Sequence, residues 1–232
     1  MKAVVLCGGL GSRLGALTAQ TPKPMLPVAG RPFIDHVMDR LVQAGLDSLV
    51  MAAGFEWQKL RDHIGSSWRN VPVRYSVESA PLGTGGAIKA AMAGCAQDDI
   101  LVVNGDTLFD IDLGAFLAFA SSQNAQATIA LRGIEDCARY GRVTVDTQNK
   151  LQSFGEKGHP GPGLINGGIY FLKAQALDGI ESEAFSFETE FLTARHSQEP
   201  IYGMAFDNYF IDIGIPADLQ RAQIELQGTG QK

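Results

Sequence analysis

Apolar positions along this chain follow two periods, and they alternate. Lys2-Ala-Val-Val-Leu-Cys7 is a short run, apolar on both faces, that ends in a glycine cluster. Such a run predicts a central parallel strand covered by helices on either side. Residues 32–44 then put Phe33, Val37, Leu41 and Ala44 on one helical face, with Gly45 placed to cap the end. Strand-like runs follow at 48–53, 71–77, 100–104 and 127–131. Helical patterns lie between them at 56–64, 85–93 and 113–121, with Gly65 stopping the first.

The pattern changes after Arg132. Strand-like pieces at 142–145, 151–154 and 168–172 come with few helices between them. A short helix at 187–195, strands at 201–206 and 209–213, and a closing helix at 216–227 with Pro216 in its first turn complete the chain. Regular strand–helix alternation implies βαβ units. The expected fold is α/β: a doubly wound, mostly parallel, Rossmann-like sheet in a three-layer α/β/α arrangement. Residues 1–132 form its core, and residues 133–232 add a smaller sheet-rich lobe within one domain.

Composition narrows the function. The 232 residues are 45% hydrophobic and 19% charged, enough apolar matter for a core without staples. A net charge of −6 argues against a general nucleic-acid or anionic-membrane binder. No apolar run approaches the length that spans a bilayer, and the N-terminus has no signal-peptide pattern. The cysteines, Cys7, Cys95 and Cys137, are scattered and fit free thiols. A soluble cytoplasmic protein is expected, with a homodimer left open.

Several segments carry chemistry. Leu6-Cys-Gly-Gly-Leu-Gly-Ser-Arg-Leu14 follows the first strand, where glycines let backbone N–H groups approach a phosphate. It is neither a Walker A loop nor a dinucleotide fingerprint, since Leu14 stands where the latter needs Gly or Ala. A plain turn with solvated Arg13 and Lys23 competes with the phosphate reading. Pro22-Lys23-Pro24 fixes φ on both sides of one lysine, predicting a rigid, extended backbone that presents a single ammonium. Glu78-Ser-Ala-Pro-Leu-Gly-Thr-Gly-Gly-Ala87 could seat a planar base or sugar against small residues, or could simply be a glycine-rich turn opening the next helix. Asp106 ends an apolar strand at the edge where α/β sheets bind ligands, and Asp212 ends another. Two such carboxylates could hold Mg²⁺ together with substrate phosphates. Asp110, Asp112 and Asp207 read as turn and cap residues, Asp112 as the N-cap of the helix after it. The Gly/Pro-rich stretch 155–163 is either a surface connection or a mobile active-site loop, and its Glu156-Lys157 pair favours the second. His36, His63, His159 and His196 are isolated, so neither a zinc site nor a histidine-activated nucleophile is expected.

Taken in order, Gly8-Gly-x-Gly-x-Arg13-Leu14, Pro22-Lys23-Pro24, Pro81-Leu-Gly83-Thr84, Asn104-Gly-Asp106, Glu156-Lys157, Asn166-Gly167-Gly168 and Ile-Asp212-Ile-Gly resemble the sugar-1-phosphate nucleotidylyltransferases, from residue 1 to about 220. The short chain, with residues 81–87, 104–107 and 210–216, most resembles the members that transfer a guanylyl group to a manno-configured heptose 1-phosphate. Uridylyltransferases acting on N-acetylmuramate 1-phosphate share the architecture. The resemblance implies that residues 1–132 bind the nucleoside triphosphate, GTP in the favoured case, and that residues 133–232 bind the sugar 1-phosphate. Leu6, Gly8, Gly9 and Gly11 would hold the nucleotide, Arg13 its phosphates and Lys23 the α-phosphate region. Glu78, Pro81, Gly83 and Thr84 would border the base. Asp106 and Asp212 would bind Mg²⁺, Glu156 and Lys157 would meet the sugar phosphate, and Gly141, Asn166 and Gly167 would border the sugar. Relatives often read Glu-Lys-Pro where this chain has Gly158, which bears on the loop's rigidity.

The chemistry is consistent with that implication. A phosphate monoester is largely dianionic at neutral pH, so the attacking oxygen needs no general base. The barrier is repulsion and alignment between polyanions, which a few converging cations address. A non-catalytic sugar-nucleotide-binding module would lack the need for both carboxylates, and an NAD-dependent dehydrogenase fails on the interrupted glycine fingerprint.

Overall fold

The computed structural model describes residues 1–9, 11–95, 98–155 and 157–227. In chain order the elements are β1 (Lys2–Leu6), two 3-10 turns (Ser12–Thr18 and Lys23–Met25), β2 (Pro27–Val28), β3 (Arg31–Pro32), α1 (Phe33–Gln43), β4 (Ser48–Ala53), α2 (Trp57–Ile64), β5 (Ser67–Trp68), β6 (Val71–Val77), α3 (Gly83–Ala93), β7 (Ile100–Asn104), β8 (Thr107–Phe109) and α4 (Leu113–Ser122). The second half continues with β9 (Ala127–Ile134), β10 (Val143–Val145), β11 (Leu151–Phe154), β12 (Gly163–Leu172), a π-helix (Phe187–Thr193), β13 (Ile201–Phe206), β14 (Phe210–Asp212) and α5 (Pro216–Glu225).

Among the described residues ten strands form one sheet. β1 lies between β4 and β7, parallel to both, and β6 continues the parallel part beyond β4. Alternation along β1 explains the layers. Ala3, Val5 and Cys7 pack with Phe33, Leu60, Phe116 and Ala222, while Val4 packs with Ile88, Phe187 and Phe191 on the opposite face. The expected α/β/α layering follows, because a strand buried on both faces needs cover on both.

The sheet is mixed rather than parallel throughout. β12 runs antiparallel to β7 and β9, and β10 and β11 extend that antiparallel part. The smaller lobe therefore shares the main sheet, and β12 is the strand that joins the halves. It is also longer than the predicted 168–172, because its register with β9 shifts between Asn166 and Tyr170. Gly168 sits in that irregularity at φ 75°, where a bulge re-aims the neighbouring side chains. Sequence patterning also missed the β2–β3 hairpin, β5 and β8, all two or three residues long and too short to show a period.

Packing bears on two sequence readings. Gly83, at φ 69°, leaves no room for a Cβ, which would lie 2.6 Å from the Phe185 carbonyl oxygen. A Cβ at Gly85 or Gly86 would collide with the Phe185 ring and the Glu183 carbonyl. The glycines after Leu82 thus admit the 183–185 segment, and the Gly85 N–H donates to the Phe185 carbonyl at 2.9 Å. The turn-and-packing reading holds for Gly85 and Gly86. Second, the 155–163 stretch is fastened to residues 136–142. Gly155 N–H donates to Arg142 O (2.7 Å), Gly158 N–H to Ala138 O (2.7 Å) and Cys137 N–H to Gly161 O (3.0 Å). Its described residues Gly155, Gly158 and Gly161 are thus held by backbone hydrogen bonds to that segment. No helix among the described residues is long and apolar enough to cross a membrane.

Gly86→Ala should lower stability by about 1–3 kcal/mol, the usual cost of overpacking. Thermal unfolding should show a drop of several degrees, and an unchanged melting temperature would mean that 183–185 does not rest on α3.

Candidate active site

The glycine loop after β1 opens on a cavity of about 210 Å³ lined by Leu6, Cys7, Gly9, Gly11, Arg13, Lys23, Pro24, Asp106 and Gly214. Its floor is set by the sheet. β1 and β7 run side by side with Leu6 opposite Asn104, and Gly105 N–H donates to Leu6 O at 2.9 Å. A Cβ at Gly105 would press on that oxygen at 2.8 Å. The chain turns here and presents Asp106.

Asp212 arrives from far along the chain. β14 pairs antiparallel with β8, with Asp212 opposite Thr107, and Ile213 N–H donates to Asp106 O at 3.1 Å. Lys23 Nζ then donates to Asp106 Oδ2 at 2.6 Å and to Asp212 Oδ1 at 3.5 Å. The two carboxylates thus converge on one ammonium. The flanking prolines hold that lysine differently from the expectation: Pro22 is extended, but Lys23–Met25 forms a 3-10 turn closed by Met25 N–H to Pro22 O at 2.8 Å. Pro24 is buried, so the turn is anchored by packing as well as by φ.

Electrostatics match this arrangement. Burial pushes the Asp212 carboxyl above its usual range, the Asp106 charge adds to the rise, and Lys23 and the Gly214 N–H pull it back. Thr107 Oγ1 donates to Asp106 Oδ1 at 3.1 Å, and Gly214 N–H to Asp212 Oδ1 at 2.8 Å. Two hard oxygen donors at the mouth of a phosphate-sized cleft fit a divalent ion that takes its other ligands from water and phosphate. Among the described residues no cluster of three or more such side chains forms a dedicated cage.

The other expected residues fall as follows. Gly11, at φ 62°, allows the loop to close on Thr18, whose hydroxyl donates to Gly11 O at 3.0 Å. Arg13 is exposed on the cavity wall and joins no ion pair among the described residues. Glu78 lies over Gly8, where a Cβ would collide with Oε1, and its Oε2 accepts the Leu82 N–H at 2.8 Å. Pro81 is exposed. Thr84 Oγ1 accepts the Phe187 N–H at 2.9 Å, so it ties α3 to the π-helix. Gly141, at φ 83°, closes a turn on Cys137 O. Lys157 is exposed and does not line the cavity, and Glu156 lies outside the described residues. Asn166 is committed within the protein: Nδ2 donates to Tyr170 Oη (2.6 Å) and Glu188 Oε1 (2.8 Å), and Oδ1 accepts the Gly168 N–H (3.0 Å). Gly167 lies under Phe109, whose ring would be 2.5 Å from a Cβ.

Sequence reasoning passed over several polar residues around this edge. Arg139 pairs with the buried Asp218 and stacks on Tyr140 with 5.0 Å from guanidinium to ring centroid. Burial and the Asp212 charge push the Tyr140 phenol up to about 12. Tyr170 and Glu188 join Asn166 on the other side. No motif flags them, since their neighbours come from other elements. The Asp112 reading holds: it caps α4 by accepting the Ala115 N–H at 2.9 Å. His36 is absorbed structurally, bonding Val28 O at 3.1 Å, and His63 pairs with Asp35 at 2.8 Å.

A glycine loop, a braced lysine and two strand-end carboxylates on one sheet edge define an α/β enzyme that works on phosphates. The chain belongs to the nucleotidyl transferase family, whose profile matches residues 2–228. It is a sugar-1-phosphate nucleotidylyltransferase. It is 39% identical to the D-glycero-alpha-D-manno-heptose 1-phosphate guanylyltransferase of Aneurinibacillus thermoaerophilus, over 98% of this chain and 99% of that one. Identity to the enzyme of the same name from Campylobacter jejuni is 38%, covering 94% and 96%. The crystal structure of HddC from Yersinia pseudotuberculosis superposes with a TM-score of 0.85 at 33% identity, covering 96% of this chain and 97% of that one. HddC has also been solved complexed with GMP-PN, with the same score.

Asp212→Asn tests the electrostatics. A carboxyl whose folded pKa is raised is destabilising once ionised, from the unfolded-state pKa near ~4 upward. The variant should therefore melt no lower than the parent at pH 7, and any gain should vanish as pH falls below about 4. A clear loss of stability at pH 7 would show that the pair with Lys23 outweighs burial.

Proposed function

We propose that this enzyme transfers GMP from GTP to a manno-configured heptose 1-phosphate, giving GDP-heptose and pyrophosphate with Mg²⁺. The observation that carries the reading is the Lys23–Asp106–Asp212 cluster beneath the glycine loop. The two guanylyltransferases similar to the chain along nearly their whole length supply the choice of base and sugar. The GMP-PN complex of HddC supports a guanine nucleotide in this fold.

In this reading an anionic oxygen of the sugar 1-phosphate attacks the α-phosphorus of GTP. The P–O bond to the bridging oxygen breaks, and pyrophosphate leaves in line. No proton has to be removed from the nucleophile, which agrees with His36, His63 and His196 bonded elsewhere. Gly8, Gly9 and Gly11, with Leu6, seat the nucleotide, and Glu78, Pro81 and Gly83 border the base. Thr84 contributes by holding the π-helix against that strip. Arg13, exposed on the cavity wall, meets the β- and γ-phosphates. Lys23 shifts from the carboxylates towards the α-phosphate. Asp106 and Asp212 would hold Mg²⁺, which neutralises triphosphate charge when bound. Lys157, with Glu156 beside it, meets the sugar phosphate, and Gly141, Asn166 and Gly167 shape the sugar side. Residues 1–132 thus act as the nucleotide-binding part and 133–232 as the sugar-phosphate part with its closing helix.

A turnover matrix of nucleoside triphosphates against sugar 1-phosphates, read as pyrophosphate release, tests the assignment. GTP with a manno-heptose 1-phosphate should be the best pair. A clear preference for UTP with N-acetylmuramate 1-phosphate would replace base and sugar while keeping the reaction. Lys157→Ala should raise the KM for sugar phosphate and lower kcat about 10- to 100-fold, the scale of one charge-assisted contact, with nucleotide binding nearly intact. Unchanged sugar-phosphate kinetics would leave Lys157 as a solvated loop residue.

A further inference from the structure

Glu188 is a half-buried carboxylate that the account above leaves unused. It is the second residue of the π-helix Phe187–Thr193, a helix type found often at functional sites. Its Oε1 accepts a hydrogen bond from Asn166 Nδ2 at 2.8 Å. Among the described residues no cation pairs with it and Oε2 has no partner. Oε2 is not among the buried unpartnered atoms, so it reaches open space and is free to accept a hydrogen bond.

The surroundings are built to hold it. Both N–H groups of the Asn166 side-chain amide are spent, on Glu188 and Tyr170, and its oxygen accepts the Gly168 N–H, so Asn166 acts as a bracket with no donor left to offer a ligand. Glu188 is the member of this group with acceptor capacity to spare. Tyr170 is buried, accepts the Asn166 Nδ2 hydrogen bond at 2.6 Å, and feels the charge of Glu188. On the other side, the Phe187 N–H is tied to Thr84 in the first turn of α3. Glu188 thus stands where the strip at 81–84 and the bulge of β12 meet.

A carboxylate in that position repels phosphate and attracts neutral hydroxyl donors. We propose that Glu188 is a specificity-determining residue that accepts a hydrogen bond from a ring hydroxyl of the sugar 1-phosphate, with Asn166 and Tyr170 as positioning residues. The proposal rests on the nucleotidyl transfer to a sugar 1-phosphate set out above.

The test is a cycle between side chain and substrate hydroxyl. The parent, Glu188→Gln and Glu188→Ala are assayed at saturating GTP with the preferred sugar 1-phosphate and its singly deoxygenated analogues. Removing one particular hydroxyl should cost the parent about 10- to 100-fold in kcat/KM, since a site built to bond a hydroxyl rejects the analogue lacking it. The same removal should cost Glu188→Ala much less, with the KM for GTP unchanged in both variants. Glu188→Gln keeps an oxygen for Asn166 and so guards against a variant that fails to fold. Tyr170→Phe should raise the sugar-phosphate KM while leaving the preference among analogues in place. Losses that are the same for every analogue in parent and variants, or a matching rise in the GTP KM, would make Glu188 a purely structural residue. A parent that turns over no sugar 1-phosphate would overturn the functional reading as well, whereas an additive cycle in an active parent would overturn only this inference.

Discussion

The site depends on one ammonium shared by two carboxylates. Lys23 Nζ is only partly exposed and lies between Asp106 and Asp212, whose mutual repulsion it offsets. One positive charge against two negatives leaves the spot anionic. Such a spot is suited to a divalent ion that brings phosphate ligands with it more than to a self-sufficient metal cage. Three otherwise independent pieces of backbone serve this contact: the proline-braced turn around Lys23, the tight step from β7 to β8, and the short β8–β14 pair. Loosening any of them would separate charges whose interaction falls off with distance.

The glycines divide by what approaches them. Gly9 has open space around it, as a loop that must admit a ligand would require. Gly8 and Gly105 give way to Glu78 and to the β1 backbone, so they shape the floor of the cleft. Gly83, Gly85 and Gly86 give way to residues 183–185, and Gly167 to Phe109. The last two groups are packing devices, yet each places a functional strip: one presses the π-helix with Glu188 against α3, and the other sets the bulge that aims Asn166. Function and packing are coupled here because close backbone approach is what brings distant segments to one edge.

β12 explains how the two halves of the chain communicate. It enters antiparallel to β9 and β10, shifts register between Asn166 and Tyr170, and then runs antiparallel to both β9 and β7. Asn166, in that irregularity, links the buried Tyr170 phenol to Glu188 on the π-helix. The Arg139–Asp218 pair fastens the opposite side of the lobe to α5, close to Asp212.

Much of this was legible in the chain itself. Buried parallel strands such as 2–6 and 100–104 show as unbroken apolar runs, and the amphipathic helix at 33–43 shows its period, because burial on a regular element imposes a repeat on the residues. The ordered motifs around Arg13, Lys23, Asp106 and Asp212 identified the family for a similar reason: each is a local turn with a chemical group at a set offset. Tertiary structure alone decided that the sheet is mixed, that the 83–86 glycines serve the 183–185 segment, and that Gly155, Gly158 and Gly161 bond to residues 136–142. It alone decided that Lys23 bridges both aspartates and that Asn166 is spent on Glu188 and Tyr170. These facts are contacts between residues remote in the chain, and a contact of that kind leaves no period or spacing in the sequence for either partner to reveal.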